Sequence, residues 1–405
     1  MQTPWDYRYA QRTQRMKASA IRELLKFAEQ PEMISFGGGF PAAEVFPVDE
    51  FKRACNYVLE HKGADALQYG GTDGYVPLRE MIARHTISLG IKVDIDNILI
   101  TSGSQQALDL LGKIFINRGD RVLVESPTYL GALQAWNAYG AEYIAVPTDE
   151  NGMQTDQLEE ALRIGPKFIY VLPNFQNPTG TTLPIERRKK IIELADRYGV
   201  PIIEDDPYGQ LRYEGEDLPA VELLDSQMRM SSGNYTGNVI YLSTFSKILA
   251  PGLRLAWAIA PKEVIRKMSL AKQGTDLHTS TFNQIVAHEV GQHGFIDRHV
   301  KVIQETYRER RNAMLDALEE HMPAGVSWTK PQGGLFLWAT LPEKINSTDM
   351  LQEAIDEKVT YVPGEFFYPD GKGKNSMRLN FSFCKPEIIN EGISRLGKAI
   401  KKKLV

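Results

Sequence analysis

Between positions 243 and 254 the chain reads Ser243-Thr244-Phe245-Ser246-Lys247, then Pro251-Gly252-Leu253-Arg254. An apolar run leads into small hydroxyl residues, a lysine and, seven positions on, an arginine. Hydroxyls and a guanidinium gathered around one point suit a phosphate monoester. A lysine in the same place can form an imine with an aldehyde. A surface lysine beside a structural arginine fits the segment equally.

Three further segments carry groups of useful type. Glu204-Asp205-Asp206-Pro207-Tyr208 closes an apolar run. A carboxylate at the end of a buried strand can hold a cation such as a protonated pyridine nitrogen, and a nearby phenol can hydrogen-bond a ring oxygen. The same residues also fit a helix N-cap at Asp206 with Pro207 in the first helical position. Asn174-Phe175-Gln176-Asn177-Pro178-Thr179-Gly180 follows another apolar run. Asn-Pro and Thr-Gly mark turns in any protein, and Asn177 can also present its amide to a ligand oxygen. In Thr101-Ser102-Gly103-Ser104-Gln105, Gly103 permits a tight turn before a helix. Free N–H groups and the positive dipole end there make an anion site, or simply a capped helix start.

These segments need elements to hold them. β-rich runs fall at 98–101, 121–125, 143–146, 168–172, 202–205, 239–242 and 255–260, with helical stretches such as 105–116 and 185–198 between them. The alternation predicts an α/β fold, with a mostly parallel sheet flanked by helices in a large domain. Ligands bind beyond the carboxyl ends of such strands, where several of these motifs lie. An amphipathic helix is predicted over 19–29, with Ile21, Leu24, Leu25 and Ala28 on one face and Pro31 ending it, and another helix from about 49 to 61. Long helical segments run from Pro261 to about Leu318. Short strands at 335–338 and 377–380, mixed with helices, predict a smaller α+β domain built from the N-terminal segment and the C-terminal region. The expected division is 1–45 for the N-terminal arm and part of the small domain, 46–295 for the large domain and 296–405 for the rest of the small one.

The chain has 405 residues, 42% hydrophobic and 24% charged, an ordinary globular composition. A net charge of −4 gives no pointer to nucleic acid or to an anionic membrane. Cys55 and Cys384 have neither metal-ligand spacing nor a disulfide framework, which suits the cytoplasm. The polar N-terminus lacks the apolar core of a signal peptide, and no apolar stretch approaches the ~20 residues of a membrane span.

Taken in chain order, SGSQQAL, ESPTY, NPTG, DDPY, SKxxxPGLR and a late MRLNF resemble the fold-type I pyridoxal 5'-phosphate (PLP) enzymes of aminotransferase class I/II. The resemblance is strongest to the 2-aminoadipate and kynurenine branch, and runs from SAIRELLK to the final helix. It implies that 46–295 is the PLP-binding domain and that Lys247 carries the cofactor as a Schiff base. Asp205 would pair with the pyridine nitrogen, Tyr208 and Asn177 with the ring 3-oxygen, and Tyr129 would stack on the ring. Ser104, Gln105, Thr244, Ser246 and Arg254 would hold the phosphate; the family often has Ser where this chain has Thr244. Tyr69 would reach the phosphate of a neighbouring subunit, which implies a homodimer. Arg378 would clamp the substrate α-carboxylate, Gly39 would let substrate approach the backbone, and Arg22 would bind the distal carboxylate of an acidic substrate. The expected reaction is transamination with 2-oxoglutarate/glutamate as one pair and 2-aminoadipate, aromatic or aliphatic amino acids as the other.

The alternatives on this scaffold are a C–S lyase, a decarboxylase, or a non-catalytic PLP-sensing module. Glu365 adds a carboxylate near the expected substrate region with no assigned role. Gly37-Gly38-Gly39-Phe40-Pro41-Ala42 matches a dinucleotide-binding pattern in letters only, because Pro41 and Pro47 interrupt the helix it needs. His288 and His293 are five apart, a spacing that does not share a helix face. Trp328 and Trp338 read as core.

Overall fold

The computed structural model describes residues 4–16, 30, 32–229, 235 and 237–404. The helix predicted over 19–29, and Arg22 with it, lies outside the described residues.

The largest sheet has strands β1 (Ile98–Thr101), β2 (Arg121–Ser126), β3 (Glu142–Asp149), β4 (Gly152–Met153), β5 (Ile169–Val171), β6 (Ile202–Asp205), β7 (Val239–Thr244) and β8 (Ala256–Ile259). Their order across the sheet is β1-β8-β7-β6-β5-β2-β3-β4. Pairing is parallel from β3 through β2, β5 and β6 to β7. β8 runs antiparallel between β7 and β1, and β4 antiparallel at the edge. The carboxyl ends of β1, β5, β6 and β7 therefore open on one side.

Both faces of the sheet are covered, which is why its strands are apolar almost throughout. On one face Leu99, Val124, Tyr170, Ile203 and Leu242 pack against Leu108, Trp136 and Met268 of the covering helices. On the other, Leu123, Ile169, Val171, Ile202 and Val239 meet Ile191 and Leu194 of the helix Ile185–Tyr198. The split follows the alternation of side chains along each strand.

A second, antiparallel sheet contains Ser327–Trp328, Phe336–Thr340, Ser376–Asn380 and Val362–Pro363, in that order. The N-terminal segment joins this region. Ile34–Ser35 pairs with Val359–Thr360, and the Phe36 carbonyl accepts the Asn380 N–H at 2.9 Å. The helices Phe295–His321 and Pro386–Leu404 pack on each other beside it. Trp338 is buried with Val362 and Phe367, while Trp328 is half-buried against the main core.

Three local expectations are corrected. The helix expected to end near His61 continues to Ala66 across a break at Lys62 (φ −135°), so the periodicity fades before the helix does. β3 extends to Asp149 because Thr148 and Asp149 pair with β4. No helix starts after Asp206. Instead a turn follows Pro207, and the Gly209 N–H donates to Asp206 Oδ1 at 2.9 Å, so Asp206 caps a turn.

Candidate active site

A cavity of about 390 Å³ opens beyond the carboxyl ends of β1, β5, β6 and β7. Gly39, Ser104, Gln105, Tyr129, Asn177, Asp205, Tyr208, Thr244, Ser246, Lys247, Arg254 and Arg378 all line it. These residues are scattered over 340 positions of sequence, and the parallel sheet is what gathers them.

Two turns build the end of the cavity that holds Arg254. Gly103 has φ 87°, and the helix Ser104–Phe115 starts immediately after it. A Cβ on Gly103 would collide with the Arg254 guanidinium, so only glycine lets that cation reach the helix N-terminus. Arg254 itself adopts φ 53°, a left-handed conformation uncommon for a non-glycine residue. The Thr244 hydroxyl accepts the Ser246 N–H and donates to the Leu255 carbonyl, both at 3.0 Å, which fixes the turn leading to Lys247. Gln105 donates to the Gly131 carbonyl at 2.7 Å. Gly131 also leaves room for the Tyr129 ring, which a Cβ there would strike.

Lys247 Nζ donates to the Gly39 carbonyl at 2.9 Å. Burial, reinforced by the positive charges of Arg378 and Arg254, lowers its pKa to about 8. A lysine so placed is an uncharged nucleophile far more often than a surface lysine. Burial raises Asp205 to about 7; a hydrogen bond from Tyr170 opposes that rise and the neighbouring Asp206 adds to it. Burial also lifts the Tyr208 and Tyr129 phenols, so both remain protonated donors. Arg378 is buried and lowered to about 10, which still leaves it charged near neutrality. It donates to Asn177 Oδ1 at 2.8 Å and to the Gly37 carbonyl at 2.7 Å. Phe336 and Phe367 lie 4.2 and 5.1 Å from its guanidinium carbon.

Several polar atoms here have no partner among the described residues: Asp205 Oδ1, Ser104 Oγ and Arg378 Nε, each buried. Buried polar atoms are normally satisfied, so these mark places that a ligand completes. A carboxylate oxygen for a ring nitrogen, a hydroxyl at a helix N-terminus for a phosphate and a guanidinium N–H for a carboxylate match PLP and an amino acid. The residues present fit that cofactor.

Other expected residues stand apart. Tyr69 is exposed (79%) with its ring edge-on to His278, away from this cavity. Glu365 accepts from the Thr348 hydroxyl at 2.6 Å and does not line the cavity. His288 packs edge-on against Tyr75. Two residues of the site carry no signal of their own in the sequence: Phe336, which lines the cavity and sits edge-on to Tyr208 at 6.1 Å, and Tyr170. The phenol of Tyr170 donates to Asp205 Oδ2 at 2.8 Å. Both are embedded in apolar strand runs, where an aromatic residue reads as core.

An α/β fold with a lysine, a carboxylate and an arginine beside a helix N-terminus converging on one cavity is the arrangement expected of a PLP-dependent enzyme. The family model for aminotransferase class I and II matches residues 31–396. The chain is 49% identical to an aromatic-amino-acid aminotransferase of Thermococcus litoralis, over 96% of this chain and 93% of that one. Among solved structures, the multiple substrate aminotransferase of Thermococcus profundus superimposes with a TM-score of 0.93 at 46% identity, covering 99% of both chains. LysN, the α-aminoadipate aminotransferase of Thermus thermophilus solved with N-(5'-phosphopyridoxyl)-L-leucine, gives 0.92 at 40%, again covering 99% of both. The chain belongs to the aminotransferase class I and II family. It is a PLP-dependent aminotransferase, a transferase that exchanges amino groups between amino acids and 2-oxo acids.

Proposed function

We propose that this enzyme uses 2-oxoglutarate/glutamate as one pair and 2-aminoadipate or aromatic and aliphatic amino acids as the other. The observation that carries the reading is the cavity, where Lys247, Asp205 and Arg378 meet with Asp205 Oδ1 and Arg378 Nε unpartnered. Bound PLP supplies the electron sink that lets an amino acid lose its α-proton. The chain's own groups do the rest. Lys247 would hold the cofactor, and its amine, when free, is the base placed to take and return the substrate α-proton. Asp205 keeps a proton on the ring nitrogen. Tyr208 and Asn177 hydrogen-bond the ring oxygen, and Tyr129 covers one face. Ser104, Gln105, Thr244, Ser246 and Arg254 hold the phosphate. Arg378 binds the α-carboxylate through its planar fork, with Gly39 leaving the backbone open beside it. The T. litoralis and T. thermophilus names support the aromatic and aminoadipate choices.

Arg22 is proposed to receive the distal carboxylate of acidic substrates. The exposed Tyr69 and Leu67 support a homodimer in which Tyr69 completes the partner's phosphate site. The shared N- and C-terminal sheet region supports boundaries at 45/46 and 295/296. Free thiols at Cys55 and Cys384 support residence in the cytoplasm. Among the described residues no helix is long and apolar enough to cross a membrane.

The test is the absorbance spectrum of the purified protein before and after glutamate. The visible cofactor band should move to the near ultraviolet and return when 2-oxoglutarate is added. A band unmoved by glutamate but shifted by another amino acid overturns the glutamate pairing. An unchanged KM for glutamate in Arg22→Ala removes that residue from the substrate site.

A further inference from the structure

We infer that Tyr170 is a positioning residue for the reaction, acting through Asp205. The inference rests on the proposed role of Asp205 toward the ring nitrogen. Tyr170 lies in β5 opposite Ile203 of β6, and Asp205 is two residues beyond Ile203 on the same face. The phenol leans along the strand and donates to Asp205 Oδ2 at 2.8 Å, with both residues buried. Among the described residues Asp205 Oδ1 then has no partner, so a cation in the cavity meets that oxygen and no other acceptor of this carboxylate.

The phenol is not free to swing. Its ring stands edge-on to Trp136, with centroids 5.0 Å apart at 89°. Trp136 is held in turn by a hydrogen bond from Nε1 to the Leu108 carbonyl at 2.9 Å. Burial keeps the phenol protonated, so it is a permanent donor. A donor to a carboxylate favours the charged form, against the burial that disfavours it. Tyr170 thus does two things at once. It aims Oδ1 at the ring-nitrogen position and biases the carboxyl toward the carboxylate that position requires.

The test compares Tyr170→Phe, Asp205→Asn and the double variant. Tyr170→Phe removes one oxygen and leaves the packing against Trp136. Three readouts are taken: the dissociation constant of PLP from the apoprotein, the pH midpoint of the bound-cofactor absorbance, and kcat and KM for glutamate. Tyr170→Phe should weaken PLP by ~10-fold, close to the lower limit for a hydrogen bond to a charged group. It should also shift the absorbance midpoint and lower kcat with KM little changed. In the Asp205→Asn background the same substitution should change PLP affinity by less than ~2-fold, because coupled residues are not additive. Equal effects in both backgrounds, no effect with Asp205 present, or an apoprotein that does not fold would each overturn the assignment. If Asp205→Asn itself leaves PLP affinity and the absorbance midpoint unchanged, the reading of Asp205 falls, and that of Tyr170 with it.

Discussion

The depressed pKa of Lys247 can be measured directly on the apoprotein. Burial, then Arg378, then Arg254 bring it from 10.5 to about 8. At a pH of about 7.5, an amine with pKa about 8 is roughly one-quarter uncharged, against about one part in a thousand for an ordinary lysine. The ratio is ~200-fold in reactive amine. The assay is acylation of the apoprotein by a small neutral reagent at a series of pH values, with the Lys247 peptide quantified by mass spectrometry. The rate at Lys247 should rise tenfold per pH unit up to about 8 and then level, while exposed lysines keep rising toward 10. Arg378→Met, which deletes the larger of the two repelling charges, should move the bend to higher pH. The sign for stability follows from the same shift. Between about 8 and 10.5 the unfolded chain holds this proton and the folded apoprotein does not, so Lys247's contribution to stability increases with pH across that window. A Lys247 rate still climbing with unit slope above pH ~9.5 would refute the argument.

Two further substitutions probe the end of the cavity that holds Arg254. Gly103→Ala places a Cβ against the Arg254 guanidinium at a residue with φ 87°. It should destabilise the apoprotein by more than ~1 kcal/mol, and equilibrium titration should show weaker PLP binding; unchanged affinity would remove Arg254 from the phosphate site. Lys272 is fully buried, its Nζ 2.9 Å from Asp276 Oδ1 and 2.7 Å from Gln106 Oε1, and Asp276 in turn accepts from Ser102, the residue before Gly103. Lys272→Met removes the cation from Asp276, which is partly exposed and keeps the Ser102 and Gln106 donors, so the cost should be ~1–3 kcal/mol, read from the urea unfolding of the apoprotein, and no measurable loss would mean that the network is not coupled to folding.

The sequence made the strands and the chemistry-bearing turns legible because a two-sided parallel sheet demands long apolar runs that end abruptly in polar residues. Lys247, Asp205, Asn177 and Ser104 each stand just past such an end, so their types and places could be read together. Phe336 and Tyr170 could not be read this way. Each lies inside an apolar run, and its approach to Arg378 or Asp205 depends on strand order and register, which a single strand does not encode. The position of β8 shows the same limit. Its apolar run looks like any other strand, yet it returns antiparallel between β7 and β1. The connection that leads into this return, residues 245–255, holds both Lys247 and Arg254, and both line the cavity.

The three consecutive carboxylates at 204–206 show why register matters as much as residue type. Along a strand, neighbouring side chains point to opposite faces. Glu204 points away from the cavity and accepts the N–H groups of Val221 and Glu222 at 2.9 and 2.8 Å, at the start of the helix Val221–Met228. Asp205 points the other way, toward Tyr170 and the cavity. Asp206 lies beyond the last strand pairing and receives Asn174 and Gly209, which turns the chain so that Tyr208 comes back to the cavity wall. Burial raises the pKa of all three, most plainly to about 7 for Glu204 and Asp205. Glu204 and Asp206 have backbone donors to offset that penalty, whereas Asp205 keeps one oxygen without a partner among the described residues. A one-residue slip of β6 that brought Glu204 to the place of Asp205 would put Ile203 where Glu204 stands, leaving the N–H groups of Val221 and Glu222 without their acceptor. The parallel pairing of β6 with both β5 and β7 is therefore part of the active site, since it decides which of three adjacent acids can hold a cation there.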